Sequence, residues 1–411
     1  MTSPTARALL TVDEYREELL TDLLAGSGPL TDTEQVPLAQ ALGRVLAEPV
    51  RARGDVPAFA NSGMDGYAVR HADLTAGPGT LRVVGAVAAG SSRDPALAAG
   101  ECVRIMTGAP VPTAADTIVP VELTDGGHEI VTITGTVEPG QHLRGAGEDV
   151  RADDVVADAG VTITARVLGT LAAAGTATVS VRRRPVVAVA ATGDELVAPG
   201  GALERGQIFE SNGTHLAATL TELGVEVRGP VVLADERAAF TSGLDELARG
   251  SDLIILTGGV SVGDFDVSRI VLQDSADGVF RHVRMQPGKP QGWARWHGVP
   301  VLAFPGNPVS TAISFEVFGR PVVDRLLGRE APGGATLAVA GTGWRSPQGR
   351  RQFVPVRLTS DDRGRLVATP AHRRGSASHM ATSVGGAHAL AVVDEETDTV
   401  EPGDLVGVRS L

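Results

Sequence analysis

The sequence predicts a multidomain protein of α/β plus β class, and three observations carry that prediction. Apolar strands alternate with amphipathic helices over 184–328, the pattern of βαβ units in a doubly wound parallel sheet. On either side, 53–150 and 336–411 are rich in short strands and turns with no such alternation. Helical patterns at 11–26, 36–48 and 162–175 bracket the first of these β-rich stretches. At about 150 residues per domain, a chain of 411 residues has room for two to four domains. The expected organisation is an N-terminal helical domain from 1–52 and 151–183, with a β-rich domain at 53–150 inserted into it. A central α/β domain at 184–328 and a C-terminal β domain at 329–411 follow.

In chain order, Thr11 is the expected N-cap of the first helix, and Glu14 three residues on completes a capping box. VPLAQALGRVLAE reads as a second helix over 36–48. LRVVGAVAAG, ECVRIMTGAP, DTIVPVEL and HEIVTITGTV are strands separated by Gly, Pro and Asp turns. TITARVLGTLAAAG at 162–175 returns to helix. In the central stretch PVVAVAATG, VEVRGPVVLA, DLIILTGG, FRHVRMQPG and VPVLAFPG are strands. SNGTHLAATLTELG, ERAAFTSGLDELARG and NPVSTAISFEVFGRPVVDRLLG are helices. The tail repeats short strands: TLAVAGTG, QFVPVRLTS, RLVATP, HALAVVDEE and DLVGVRSL.

Composition narrows the function. A net charge of −13 argues against general nucleic-acid binding, which needs a basic surface. It leaves room for a small anionic ligand, because a local pocket can oppose the global sign. Cys102 is the only cysteine, so neither an intramolecular disulfide nor a multi-cysteine metal site is expected. Its place in an apolar strand suits a buried, inert thiol. The N-terminal segment lacks a signal-peptide core, and no apolar run approaches the roughly 20 residues that span a bilayer. A cytoplasmic protein without membrane contact is expected. Lys+Arg is 36, yet Lys289 is the single lysine.

Ligands of open parallel sheets bind at the carboxyl ends of the strands. Five strands lead there into Thr192-Gly193-Asp194-Glu195, Asp235, Thr257 to Asp266, Pro287-Gly288-Lys289-Pro290 and Pro305 to Ser310. Gly258 and Gly259 would let backbone N–H groups approach an anion. Gly306-Asn307-Pro308 leads into a helix N-terminus, a ready anion site. Glu195, Asp235, Asp264 and Asp266 offer hard oxygen ligands for Mg²⁺, and Lys289 offers a compact positive charge. Any one of these loops reads as an ordinary turn. Together, with four acids and the only lysine, they point to a phosphate and metal site. No Walker-type or dinucleotide-type glycine motif is present. Ser211 and Ser310 lack a hydrolase elbow, and Ser211-Asn212 is expected to cap the following helix. Ser62 to Ala68, Arg104 to Pro110 and Gly147-Glu148-Asp149 are further clusters, each alone compatible with an ordinary loop.

The motifs as a set resemble the molybdopterin molybdenumtransferase family, the MoeA-type proteins to which the C-terminal part of gephyrin is related. The resemblance spans nearly the whole chain. It rests on FANSGMDGYAVR (59–70), RIMTGAPVP (104–112), GEDV (147–150), ATGDEL (191–196), GQIFESN (206–212), TGGVSVGDFD (257–266), PGKP (287–290), FPGNPVS (304–310) and GRRQF (349–353). It implies an enzyme that takes adenylylated molybdopterin and molybdate, releases AMP and needs Mg²⁺. It implies a central domain of molybdopterin-binding type and a barrel-like C-terminal domain. It also implies an elongated homodimer whose active site lies by the α/β domain of one subunit, with the SGMDGYA and TGAP segments supplied by the other.

Residue by residue, the family's functional acids fall on Asp65, Asp149, Glu195, Asp235 and Asp266, with Asp235 and Asp266 as the Mg²⁺ ligands. Its functional threonine falls on Thr107 and its loop prolines on Pro305 and Pro308. Gly258, Gly259 and Ser261 would cradle phosphate. The oxyanion group falls on Lys289, Ser310, Arg350 and Ser378. Gln286 departs from a common lysine, with Arg281 and Arg284 as candidates to compensate. Molybdopterin adenylyltransferase is the implied partner upstream, and molybdoenzymes and their chaperones are the partners downstream. The rival readings are an adenylyltransferase-like nucleotide enzyme, a non-catalytic scaffold of the same fold, and a generic Mg²⁺-dependent nucleotide hydrolase.

Overall fold

The computed structural model describes residues 9–25, 30–74, 79–260, 266–329, 334–372 and 378–411. It divides into two compact units, one of residues 1–34, 43–45 and 182–411 and one of residues 35–42 and 46–181.

In the larger unit, helix α1 (Val12–Glu18) begins at the expected capping box, with Thr11 and Glu14 bonded reciprocally. It continues as a π-helical turn, Leu19–Leu23. Tyr15 of α1 meets Phe318 edge to face at 4.9 Å, so this helix packs onto the α/β core.

The smaller unit holds a five-stranded sheet of β1 (Gly66–Val69), β2 (Thr80–Val87), β3 (Glu101–Ile105), β4 (Thr117–Pro120) and β5 (Ile130–Thr132), in the order β4-β1-β3-β2-β5. Cys102 is fully buried in it, and burial pushes its thiol up to about 12, the inert state expected. Helix α2 (Ala165–Ala173) forms where expected, capped by Thr164. The helix expected over 36–48 does not form. Strand Thr33–Pro37 and a single 3₁₀ turn, Leu38–Gln40, stand there. Gly43 takes φ +75, which ends any helical run within two turns of its start.

The larger unit contains the expected alternation: β6 (Val186–Thr192), α3 (Asn212–Glu222), β7 (Glu226–Leu233), α4 (Arg237–Ala248), β8 (Leu253–Thr257), α5 (Val267–Ser275), β9 (Val279–His282), β10 (Met285–Gln286), β11 (Pro290–Trp296), β12 (Val299–Phe304), α6 (Pro308–Ser314) and α7 (Arg320–Leu327). The main sheet runs β7-β6-β8-β12-β11-β9. Its first four strands are parallel, and β11 runs antiparallel to both neighbours. Period-2 alternation sorts the two faces. Val187, Val189, Leu253, Ile255, Leu302 and Phe304 join α1, α3, α6 and α7 in one core. Ala188, Ala190, Ile254, Leu256, Val301 and Ala303 join α4 and α5 in the other. Strand β11 escaped the sequence reading because Pro290 and Gly292 interrupt its pattern. Helix α5 escaped it beside the Asp- and Gly-rich loop.

The C-terminal strands β13 (Thr336–Ala340), β14 (Arg351–Ser360), β15 (Leu366–Pro370), β16 (Ala389–Val393) and β17 (Leu405–Ser410) close into a five-stranded barrel, β14-β15-β13-β17-β16, with β16 returning to β14. The short strand β10 pairs with the first residues of β14, parallel to it, with Met285 opposite Arg351 and Gln286 opposite Gln352.

Candidate functional site

Register brings the rim loops together. Thr192 pairs with Leu233, Ala191 with Thr257, and Thr257 with Phe304. The chain beyond these residues therefore leaves the sheet at one level, carrying Glu195, Asp235, Gly258 and Pro305. Gly292 of antiparallel β11 lies opposite Ala303, so the Pro287-Gly288-Lys289 turn enters from the same rim. Around this rim lies a cavity of about 720 Å³, lined by Glu195, Asp235, Gly258, Gly259, Asp266, Pro305 and Pro308, with Glu210, Asn212, Pro290 and His379.

Gly258 serves packing rather than anion contact, and Gly259 is tightly packed as well. Gly258 has φ +93, and a Cβ there would lie 2.7 Å from the Thr192 carbonyl oxygen. Its N–H donates to the Phe304 carbonyl at 3.0 Å, so this amide is committed to the neighbouring strand and corrects the expectation that it faces an anion. A Cβ on Gly259 (φ +65) would overlap Ser268 Oγ, which donates to the Gly259 carbonyl at 2.8 Å. Ser261 and Asp264 lie outside the described residues.

The acids differ in their ties. Asp194 and Asp235 exchange backbone-to-carboxylate hydrogen bonds of 3.3 and 3.4 Å, locking two rim loops together. Glu195 folds its carboxylate over Gly193, where a Cβ would come within 2.5 Å of Glu195 Oε2. Asp266 is the N-cap residue of α5, yet its side chain makes no capping bond. Its Oδ2 is buried with no hydrogen-bond partner among the described residues. Burying an unpaired carboxylate oxygen is costly, so this atom is suited to a ligand entering the cavity. No group of three or more acidic, His or Cys side chains forms a ready-made metal cage among the described residues. Two carboxylates that leave coordination positions for phosphate oxygens are the donor set a hard cation such as Mg²⁺ uses.

The start of α3 differs from the expectation. Ser211 is the N-cap by backbone only. Buried Glu210 does the capping, accepting from Gly213 N–H at 2.6 Å and Thr214 N–H at 3.3 Å. Asn212 Nδ2 instead donates to the Gly306 carbonyl at 2.6 Å, across the cavity rim. The sequence offered one signal for this, an acid one residue ahead of the obvious serine.

Three residues of the oxyanion group, Lys289, Ser310 and Ser378, lie next to the cavity lining in sequence rather than in it, and Arg350 has no neighbour in that lining. Lys289 precedes Pro290, Ser310 follows Pro308 and is buried, and Ser378 precedes His379. Ser378 Oγ accepts from Asn307 Nδ2 at 3.2 Å, and its carbonyl accepts from Val309 N–H at 3.1 Å. Arg350 Nη1 donates to Gln286 Oε1 at 3.2 Å. The residue that departs from lysine thus holds an arginine. Arg281 is not available to compensate, because it pairs with Glu18 at 3.3 Å.

In the smaller unit, Asp65 and Thr107 meet. Asp65 Oδ1 accepts from both Thr107 Oγ1 and Thr107 N–H, each at 2.7 Å. The hydroxyl bond first and the backbone bond second hold this carboxyl below its usual range. Gly66 makes the turn feasible, since any Cβ there would overlap the Val119 carbonyl. Asp149 is exposed, is fixed through its N–H to the Val56 carbonyl at 3.0 Å, and makes no side-chain bond to Asp65 or Thr107.

Fold and cavity together define an α/β ligand-binding protein with its site on the carboxyl rim of the sheet. The chain matches the family models of the MoeA N-terminal region (domain I and II) over residues 10–175, the probable molybdopterin binding domain over 188–325 and the MoeA C-terminal region (domain IV) over 338–411. It is 40% identical to molybdopterin molybdenumtransferase 2 of Mycobacterium tuberculosis, over 97% of this chain and 99% of that protein. It is 32% identical to the molybdopterin molybdenumtransferase of Haemophilus influenzae, over 98% of each. A solved structure of the molybdopterin biosynthesis MoeA protein from Pyrococcus horikoshii superposes with a TM-score of 0.82 at 25% identity, covering 98% of this chain and 100% of that one. The chain belongs to the molybdopterin molybdenumtransferase family, and it is a transferase of molybdenum cofactor biosynthesis. Full-length agreement speaks against the adenylyltransferase-like and scaffold alternatives. No helix among the described residues is long and apolar enough to cross a membrane.

Proposed function

We propose that the protein transfers molybdenum from molybdate to adenylylated molybdopterin with release of AMP, as a Mg²⁺-dependent, cytoplasmic homodimer. The observation that carries the reading is Asp266, which lines the same cavity as Asp235 and whose buried Oδ2 has no hydrogen-bond partner among the described residues. Asp235 and Asp266 would hold Mg²⁺, which when bound supplies Lewis-acid polarisation of the phosphoanhydride and offsets charge on the departing AMP.

The chain's own groups do the rest. Lys289 and Arg350 bring two positive charges to a tetrahedral dianion, and the Ser310 and Ser378 hydroxyls offer hydrogen bonds to its oxygens. Asp194, bonded to Asp235, keeps that carboxylate on the rim. Asp65, kept ionised by Thr107, is an acceptor for a hydrogen bond from a substrate hydroxyl. In the homodimer it would be furnished to the cavity of the other copy, with Glu195 and Asp149 as further acids. Molybdopterin adenylyltransferase would supply the substrate, and molybdoenzymes with their chaperones would receive the product.

The experiment gives purified protein adenylylated molybdopterin, Mg²⁺ and molybdate, and follows AMP release together with molybdenum incorporation. AMP release that does not depend on molybdate sinks the reading. Mixing inactive Asp65→Asn and Asp266→Asn proteins tests the dimer, since shared sites restore part of the activity and self-contained ones restore none.

A further inference from the structure

We propose that Gln291 is a positioning residue for Lys289, fastening the Pro287-Gly288-Lys289 turn to helix α6. The proposal rests on the reading of Lys289 as an oxyanion ligand. Gln291 is fully buried, one residue into β11. Its Nε2 donates to the Gly288 carbonyl at 2.6 Å and to Ser314 Oγ at 2.7 Å. Ser314, also fully buried, ends α6, the helix that carries Ser310. One amide therefore joins the lysine turn to the helix of a second oxyanion residue.

The turn is held tightly at this point. Gly288 has φ +95, and a Cβ there would sit 3.1 Å from Ser314 Oγ and 3.3 Å from Gln291 Nε2. The Lys289 carbonyl in turn accepts from Val283 N–H at 2.8 Å. A lysine side chain is long and flexible, so the position of its ammonium depends on how firmly its backbone is anchored.

Packing alone does not explain the choice of residue. Gln291 Oε1 is buried without a partner among the described residues. A buried amide oxygen left unpaired is unfavourable, and an apolar side chain of similar length would avoid it. What an apolar side chain lacks is the donor that spans Gly288 and Ser314.

Gln291→Met, similar in length but without donors, tests the idea in the full-length protein. The Michaelis constant for molybdate should rise roughly tenfold, because the substitution removes both anchoring hydrogen bonds, each worth about threefold. The constant for adenylylated molybdopterin and the rate at saturation should stay within about twofold of wild type. Equal changes in both constants, or a fall in thermal stability with neither changed, would assign Gln291 a purely structural role. If Gln291→Met does not fold, Ser314→Ala decides, because it removes one anchor and keeps the Gly288 bond. A rise of about threefold in the molybdate constant alone is then expected, and no rise overturns the proposal. Lys289→Met separates the two layers: if it leaves the molybdate constant unchanged, the oxyanion reading of Lys289 fails, not only its positioning.

Discussion

Gly258→Ala probes how the rim loop is built. Its φ of +93 lies in a region that L-residues enter at a cost of about 1–2 kcal/mol. The added Cβ would also stand 2.7 Å from the Thr192 carbonyl oxygen, which belongs to the sheet and has no side-chain freedom to step aside. Moving the loop away strains the bond from Gly258 N–H to the Phe304 carbonyl, about 1 kcal/mol more. The sum is about 2–3 kcal/mol, or roughly 4–12 °C in Tm for a unit of this size. Gly298→Ala is the internal control. Gly298 has φ +86, but nothing lies within 4 Å of its Cβ position, so only the backbone cost applies. Calorimetric unfolding of both variants, with AMP release measured below their transitions, separates the two contributions. Gly258→Ala should lose more stability than Gly298→Ala and most of its turnover. Equal Tm values for the two variants, with full turnover for Gly258→Ala, would refute the close-packed rim.

Other outcomes follow from the same geometry. Thr107→Val removes the hydroxyl donor that holds the Asp65 carboxyl down. Because a depressed carboxyl loses its interaction as pH falls through the folded value, the Asp65 titration seen by NMR and the acid limb of activity should both move to higher pH. An unchanged titration contradicts the assigned cause. Glu210→Ala should destabilise by about 1–2 kcal/mol through loss of the α3 cap, while Ser211→Ala stays within roughly 0.5 kcal/mol, as thermal unfolding will show. Lys289→Arg should impair molybdate use more than AMP binding, because a broad planar guanidinium does not replace a compact ammonium. Equal kinetics would return the only lysine to chance.

Much of this was legible in the sequence, and the reasons for the rest are physical. The parallel strands were clear because their apolar runs are continuous. Once they are parallel, topology alone collects Glu195, Asp235, Gly258 and Pro305 on one rim. The capping box at Thr11 and the burial of Cys102 are local effects and were read correctly. What stayed hidden depends on contacts between distant residues. Nothing local says that Gly258 spends its N–H on Phe304, that Arg281 is drawn to Glu18, or that Glu210 caps α3 ahead of Ser211. Strand β11 was masked by the proline and glycine that let it begin at the site. The helix over 36–48 failed because the apolar spacing there fits a helix while Gly43, at φ +75, does not.

The most direct test of the central claim is Asp266→Asn, with AMP release measured in the presence and absence of molybdate. The substitution keeps the size of the side chain and removes the charge at the buried oxygen that has no partner among the described residues. The account predicts molybdate-dependent AMP release by the wild-type protein, and its loss in a variant that unfolds within about 1 kcal/mol of wild type. Full molybdate-dependent turnover by Asp266→Asn would contradict it.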